Sequence, residues 1–130
     1  QDAVYIINEI ANTEGAIEVE KQLNSKGVKT VRSVFDQDDM SILSRHKRIL
    51  RECTGCLLYH PTSNEMWLKS TMDDIVKSPG YGRKQPYKSI GLMSKENGEG
   101  FKSRFDTYSF IDLNNKIDAS TFDSFIKQLS

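Results

Sequence analysis

The chain has 130 residues, 37% of them hydrophobic and 28% charged, a composition typical of a single globular domain with one buried core. Its 18 basic and 18 acidic side chains cancel, which argues against a nucleic-acid or anionic-membrane partner. No apolar run approaches the roughly 20 residues that span a bilayer. Because residue 1 is not Met, we expect one domain over 1–130, excised from a longer polypeptide with other domains.

The first part of the chain alternates strand-like and helix-like segments. Val4–Ile7 is a continuous apolar run, typical of a strand that is covered on both faces. The polar loop Asn8–Gly15 follows, and Gly27 ends the next segment. Within that segment apolar residues recur at helical spacing, at Ala16, Val19 and Leu23. Val28–Phe35 is predicted as the second strand, before the acidic loop Asp36–Asp39.

A second amphipathic helix is predicted after the acidic loop. Its inner face carries Ile42, His46, Ile49, Leu50 and Cys53. Its outer face is basic and carries Arg45, Lys47, Arg48 and Arg51. The third strand is predicted at Cys56–Tyr59.

The remaining pattern predicts two more strands and two more helices. The next helix face is Leu68, Met72, Ile75 and Val76. Strands are predicted at Ser89–Met93 and Tyr108–Leu113, with a polar loop over 94–105 between them. The terminal helix face is Phe122, Phe125, Ile126 and Leu129, with Ser120 and Asp123 at capping-box-like spacing.

This alternation predicts an α/β fold in three layers, with helices on both faces of a five-stranded parallel sheet. Right-handed crossovers favour the flavodoxin-like strand order 2-1-3-4-5. Ligands of such sheets bind beyond the carboxyl ends of the strands, where the strand order reverses. The loops that meet there are Asn8–Gly15, Asp36–Ser41 and His60–Glu65.

The residues of these loops leave the chemistry open. The chain has no glycine-rich phosphate loop, no serine nucleophile elbow and no metal-ligand spacing. Glu65, in a first helical turn, can support an oxocarbenium-like centre, or it can simply complement the helix dipole. His60 is either a hydrogen-bonded rim residue or an acid/base group. Trp67 is either a packing anchor or a stacking platform for a base.

Cys53 and Cys56 form an isolated C-x-x-C motif. No second cysteine pair is present, and His46 and His60 have the wrong spacing for a zinc finger. The motif also ends a predicted helix, whereas a thioredoxin-type motif begins one. We therefore expect two reduced, packed thiols, for which the reducing cytoplasm is the natural setting.

The order of these elements resembles that of a TIR (Toll/interleukin-1 receptor) domain over nearly the whole chain. VYIINE resembles the first TIR strand, and KTVRSVFDQDDM resembles the second strand with its acidic loop. SILSRHKRILRECTGCLLYH and NEMWLKSTMDDIVK resemble the elements that follow. The E-x-W at Glu65–Trp67 and the turn SPGYGRKQPY resemble TIR-like domains of bacterial conflict and defence proteins.

The resemblance implies self-association and, in many TIR domains, cleavage of NAD to nicotinamide and ADP-ribose products. Enzymatic members carry a Glu four residues after the helix Trp, and here Thr71 holds that position. Glu65 is the best substitute as the catalytic carboxylate. NAD is then the substrate rather than a cofactor, and its cleft would be lined by Tyr5, Asn8, Glu9, Tyr59, His60 and Trp67.

Two alternatives stay open. The chain can be a non-catalytic TIR-like module for self-assembly or signal recognition, in which the acidic loop with Asp38 and Asp39 docks on the basic face with Arg45 and Arg48. It can also be an enzyme that resembles nucleoside deoxyribosyltransferases, which have a related fold and a cleft Glu.

Overall fold

A computed structural model describes residues 2–96 and 98–130 of the chain. Gln1 and Asn97, the latter in the predicted polar loop 94–105, lie outside the described residues. Strands and helices alternate along the chain as predicted. None of the helices in the described part has the length and hydrophobicity needed to cross a lipid bilayer.

The sheet has five strands, all parallel to their neighbours, in the order β2-β1-β3-β4-β5. The predicted fold class and strand order are therefore confirmed. In register, Tyr5 lies between Val31 and Cys56. The strands are β1 (Val4–Ile7), β2 (Thr30–Arg32), β3 (Gly55–His60), β4 (Ser89–Ser94) and β5 (Ser109–Asp112).

The helices begin and end at residues suited to those positions. Asp38 accepts a hydrogen bond from the Ser41 amide, and Asn64 accepts one from the Trp67 amide, so each caps a helix N-terminus. Gly27, with φ of 81°, turns the chain after the first helix. The helices are α1 (Thr13–Ser25), α2 (Asp39–Glu52), α3 (Glu65–Val76), α4 (Glu99–Lys102) and α5 (Asp123–Lys127), with 3₁₀ turns at Ile10–Asn12 and Ser78–Tyr81.

Two buried clusters cover the two faces of the sheet. Because strand side chains alternate, Val4 and Ile6 of β1 point to one face and Tyr5 and Ile7 to the other. The first face packs against α1 and α5, and we call it the α1/α5 face. The second face packs against α2 and α3, with Phe101 of α4 in the same cluster, and we call it the α2/α3 face.

Several predicted boundaries are wrong. β2 has three residues rather than the predicted Val28–Phe35, because the chain leaves this sheet edge after Arg32. The predicted polar loop contains the short helix α4, whose Phe101 is buried. Val76 is 47% exposed although it was assigned to an inner face. Ser120 and Asp123 form no capping box, since the N-cap of α5 is Phe122.

Candidate functional site

A cleft of about 280 Å³ lies beyond the carboxyl ends of β1 and β2, between α2 and α3. The cleft adjoins the switch point of the strand order, which lies between β1 and β3 and is where a ligand of such a sheet is expected. The segment 33–35, predicted as strand, instead forms one wall of the cleft. The apolar side chains of the lining include Ile7, Val34, Phe35, Ile42, Leu43 and Trp67.

A chain of three polar side chains crosses the cleft lining from β1 to α3. The hydroxyl of Tyr5 lies 2.7 Å from Nδ1 of His46, and Nε2 of His46 lies 3.0 Å from Oδ2 of Asp74. Burial raises the pKa of Tyr5 to about 12, so its hydroxyl is protonated and donates to Nδ1. In neutral His46 the ring proton then sits on Nε2 and is donated to Asp74.

The carboxylates of the cleft are placed poorly for glycosidic cleavage. Of the described residues that line it, Asp39 and Asp74 carry carboxylates, and Asp74 is paired with His46. Thr71, which the sequence resemblance places where enzymatic TIR domains have a Glu, lines the cleft. Its hydroxyl donates to the carbonyl of Trp67 at 2.9 Å, one turn back in α3. Thr71 is thus bonded to its own helix.

Three of the predicted binding residues do line the cleft: Tyr5, Asn8 and Trp67. Asn8 is 2% exposed, and its Nδ2 donates to the carbonyl of Glu9 at 2.8 Å. Its Oδ1 is buried without a hydrogen-bond partner among residues 2–96 and 98–130. An unpaired buried acceptor of this kind costs about 1–3 kcal/mol.

Glu9 and Tyr59 do not line this cleft, and their predicted binding roles need correction. Glu9 instead ties two loops together, since its carboxylate accepts hydrogen bonds from Thr62 at 3.3 Å and from Asn64 at 2.8 Å. Tyr59 points to the α1/α5 face and packs against Gly15, because neighbours along a strand face opposite sides of the sheet.

His60 and Glu65 also lie outside the lining of the cleft. His60 is 1% exposed, its Nε2 lies 3.1 Å from the carbonyl of Asn64, and its ring stacks on that of Trp67 at 5.6 Å. This geometry makes His60 a support for Trp67. Glu65 is exposed and is hydrogen-bonded to Glu96, which follows β4; this contact raises the pKa of Glu96. The loops after β1 and β3 do converge, but the Glu65 carboxylate lies outside the cleft, beside Glu96.

Sequence reasoning missed five polar residues of the cleft: Ser33, Arg45, His46, Ser70 and Asp74. His46 carried a usable signal, since it was the one strongly polar member of an otherwise apolar helix stripe. Arg45 was assigned to an outer basic face, yet its Nη1 donates to the carbonyl of Arg32 at 3.0 Å. Asp74 had no such local signal.

The residues predicted for self-association have intramolecular partners. Asp38 caps α2 through Ser41, whose backbone amide and hydroxyl lower the Asp38 pKa. Arg48 lies 3.8 Å from Glu52, one turn along α2, and both side chains are partly exposed. These contacts are surface interactions that leave the charged ends of α2 accessible to solvent.

No protein-family model matches the chain, and no curated protein matches its sequence. Solved structures do match it. One is the crystal structure of a diflavin flavoprotein A3 from Nostoc sp., with a TM-score of 0.54 and 10% identity over 99% of this chain and 89% of that one. Another is the flavodoxin-like domain of a Synechococcus sp. protein, with a TM-score of 0.53 and 12% identity over 97% of this chain and 92% of that one. At such identities the similarity establishes the flavodoxin-like fold alone.

The flavin named for the Nostoc protein raises the question of whether this chain fits one. In this type of fold a phosphate is expected at the N-terminus of the helix after β1. Here Glu9 and Glu14 flank that helix start, and residues 8–15 include no basic side chain. A phosphate at this place would meet like charge, so these residues do not fit a phosphate-bearing flavin.

Proposed function

We propose that the chain is a TIR-like recognition module of a bacterial signalling or defence protein, which binds a ring-bearing ligand such as the nicotinamide end of NAD without cleaving it. The observation that carries this proposal is the cleft at the switch point, with Trp67 in its wall and Thr71 where a catalytic Glu would be required. Apolar walls with a few polar groups are typical of small-molecule sites.

The size and chemistry of the cleft support a single ring rather than a whole dinucleotide. Its volume of about 280 Å³ lies at the lower end of the range for ligand pockets. The unpaired Oδ1 of Asn8 lies beneath the lining, and an amide N–H of the ligand that draws this oxygen outward supplies the partner it lacks. Arg45 is the basic side chain of the lining and suits an anionic group attached to the ring.

The positions of the carboxylates support the part of the proposal that excludes cleavage. A glycosidic bond needs a carboxylate that supports the oxocarbenium-like centre. Thr71 has none, and Asp74 is already paired with His46 at 3.0 Å. Asp39 is solvent-exposed at the start of α2. The same reasoning weighs against nucleoside deoxyribosyl transfer, because Glu65 does not line the cleft.

Fluorescence tests this proposal directly, since Trp67 is the one tryptophan of the chain. Titration with nicotinamide, NAD and ADP-ribose should change the emission for the two nicotinamide-bearing ligands. Ser70→Phe, which fills the cleft, should abolish the change, whereas Lys69→Phe on the exposed neighbouring position should preserve it. Unchanged emission with all three ligands would remove the recognition claim.

Chromatography of NAD after incubation with the full chain tests the second half of the proposal. We expect no release of nicotinamide. Release that disappears in Glu65→Ala would make the chain an NAD glycohydrolase with Glu65 as its carboxylate. Release of a free base from a deoxynucleoside would instead support the transferase hypothesis.

A second candidate function, self-association, is favoured by the two ends of α2. The start of α2 combines the carboxylates of Asp36 and Asp39 with Met40, which is 79% exposed. The other end carries the exposed bases Lys47, Arg48 and Arg51. An acidic end that docks on the basic end of another copy repeats head to tail and produces filaments.

Charge reversal tests this docking. Asp39→Lys and Arg48→Glu should each reduce sedimentation-detected assembly, and the double variant should recover it. Glu18→Lys on α1 is the matched control for Asp39→Lys, because it raises the net charge equally at a position 68% exposed. Assembly that is unaffected by either reversal contradicts the docking mode.

A further inference from the structure

The two cysteines lie where an α-helix passes into the sheet. Cys53 is the C-cap residue of α2, and Cys56 is the second residue of β3. Both are free thiols and are buried, with exposures of 4% and 0%. Their Sγ atoms are 3.8 Å apart, so they must approach by about 2 Å to reach disulfide-bond length.

The surroundings make the two thiols unequal. A hydrogen bond from Cys56 and the positive charge of Arg83 lower the pKa of Cys53, whereas burial raises the pKa of Cys56. Arg83 is held firmly, because its Nη1 donates to the carbonyls of Cys53 at 2.6 Å and Leu50 at 3.0 Å. Its guanidinium also lies 3.5 Å from the centre of the Tyr87 ring. Cys53 is thus the stronger nucleophile, and Cys56 is placed to resolve its oxidised form.

A narrow crevice gives access to Cys53 from the solvent. Its volume is about 60 Å³, and Arg45, Arg48 and Cys53 are among the residues that line it. A water molecule occupies roughly 30 Å³ of liquid, so the crevice admits a molecule as small as hydrogen peroxide. It is too small for a peptide thiol or disulfide such as glutathione. Glu52 also lines the crevice and is paired with Arg48, so the positive charge that favours the Cys53 thiolate is that of Arg83.

We propose that Cys53 and Cys56 form a peroxide-sensitive pair that closes to an intramolecular disulfide. The Cys53 thiolate attacks one oxygen of hydrogen peroxide, the O–O bond breaks, and the leaving hydroxide takes up a proton to give water and a Cys53 sulfenic acid. Sγ of Cys56 then attacks Sγ of Cys53, the S–O bond breaks, and the hydroxide leaves as a second water with the Cys56 proton. Two thiols are oxidised and one peroxide is reduced to two waters.

Intact-mass measurement of the reduced native chain after peroxide treatment tests the pair. We expect the mass to fall by two hydrogen atoms, with both cysteines protected from alkylation until dithiothreitol is added. Cys56→Ser should stop at a sulfenic acid on Cys53, which dimedone traps. Two alkylatable thiols in the treated native chain, or a disulfide between two chains, would overturn the proposal.

Two further comparisons separate this chemistry from general thiol oxidation. Glutathione disulfide should not modify the native chain, although it should modify the chain in urea. Arg83→Gln should slow oxidation by roughly three- to tenfold through a smaller thiolate fraction, whereas Lys84→Gln on the exposed neighbour should not. Circular dichroism of each variant establishes that it is folded. An Arg83→Gln variant that folds and oxidises at the original rate contradicts the assigned role of Arg83.

Discussion

The two faces of the sheet differ in what they bury. The α1/α5 face packs mainly aliphatic and aromatic side chains, among them Phe122 and Phe125, each 0% exposed, and its buried Ser89 donates to the carbonyl of Phe125. The α2/α3 face buries polar groups as well: the Tyr5–His46–Asp74 chain, the cysteine pair and the Arg83 guanidinium. The cleft also opens beside this face. Both faces bury an apolar cluster, and the α2/α3 face also carries the features that suit recognition and chemistry.

The difference has a physical basis. Apolar burial stabilises a fold in proportion to the area removed from water and needs no specific partner. A buried polar group costs free energy unless its hydrogen bonds are met, so it persists only in a defined arrangement. Substitutions on the α1/α5 face should thus change stability most, and substitutions on the α2/α3 face should change pH response and reactivity.

The largest effect is expected for Phe125→Ala on the α1/α5 face. Removal of this fully buried ring should lower the free energy of unfolding by about 3–5 kcal/mol. Urea titration followed by circular dichroism measures the change. Phe110→Ala on β5 is the control, since its side chain is 40% exposed and the loss should be far smaller. Equal losses of free energy of unfolding for the two variants would contradict the stability difference that we expect between the two faces.

Gly91→Ala should have the next largest effect. A Cβ at Gly91 would lie 2.7 Å from Leu57 Cδ1 and 2.8 Å from Phe125 Cδ1, so the α1/α5 face would be overpacked. We expect a loss of about 1–3 kcal/mol in the free energy of unfolding. Gly80→Ala is the matched control, because nothing lies within 4 Å of a Cβ there. Thermal unfolding of both variants at one pH measures the difference.

Tyr5→Phe tests the polar face through its pH dependence. At neutral pH the loss of the hydrogen bond to His46 should cost about 1 kcal/mol. Burial raises the pKa of Tyr5 from 10.0 to about 12 in the folded chain. The contribution of the protonated Tyr5 hydroxyl to the free energy of unfolding is fully present below pH 10. It is lost as the pH rises toward 12, because the unfolded chain releases the proton first.

The variant lacks this titration, so its disadvantage of about 1 kcal/mol should vanish as the pH rises above 10, and the variant should be the more stable protein near pH 12. Urea unfolding of both proteins at several alkaline pH values measures the difference between their free energies of unfolding. A gap that stays constant with pH would mean that the Tyr5 hydroxyl does not experience the buried environment assigned to it.

The smallest effect is expected for Asp38→Ala at the solvent-exposed start of α2. The substitution removes the acceptor for the Ser41 amide, which lies 2.9 Å away, and should lower the melting temperature slightly. Asp38→Asn retains an acceptor and should restore most of the loss. Hydrogen bonds from Ser41 lower the Asp38 pKa, so its contribution is present above pH 3.8 and is lost as the pH falls below that value. If acid lowered the melting temperatures of the wild-type chain and of Asp38→Ala by equal amounts, the role of Asp38 as the N-cap of α2 would be contradicted.

The architecture of the chain was predictable, whereas its strand and helix boundaries were less so. Val4–Ile7 and Ser89–Ser94 are strands because short apolar runs bury both faces of a parallel sheet. Val34 and Phe35 are also apolar residues that favour strands, yet they lie outside β2 and form a wall of the cleft. Local preference does not distinguish these two outcomes, because both bury the side chain.

The place of the cleft was predictable from the sequence, but its lining was only partly so. The switch point follows from strand order, and Tyr5, Asn8 and Trp67 do line the cleft there. The two-residue alternation of a strand carried the information that Tyr59 and Leu58 face opposite sides of the sheet. Glu65 was assigned from its position in a first helical turn, which does not determine the direction of its side chain.

The sequence by itself determined five parallel strands in the order 2-1-3-4-5, because hydrophobic periodicity and right-handed crossovers act within single elements and their connections. Only the tertiary structure decided which side chains meet. Tyr5 and His46 are 41 residues apart, and His46 and Asp74 are 28 residues apart. Their contacts depend on how α2 and α3 pack on the sheet, and the periodicity of a single element carries no information about that packing.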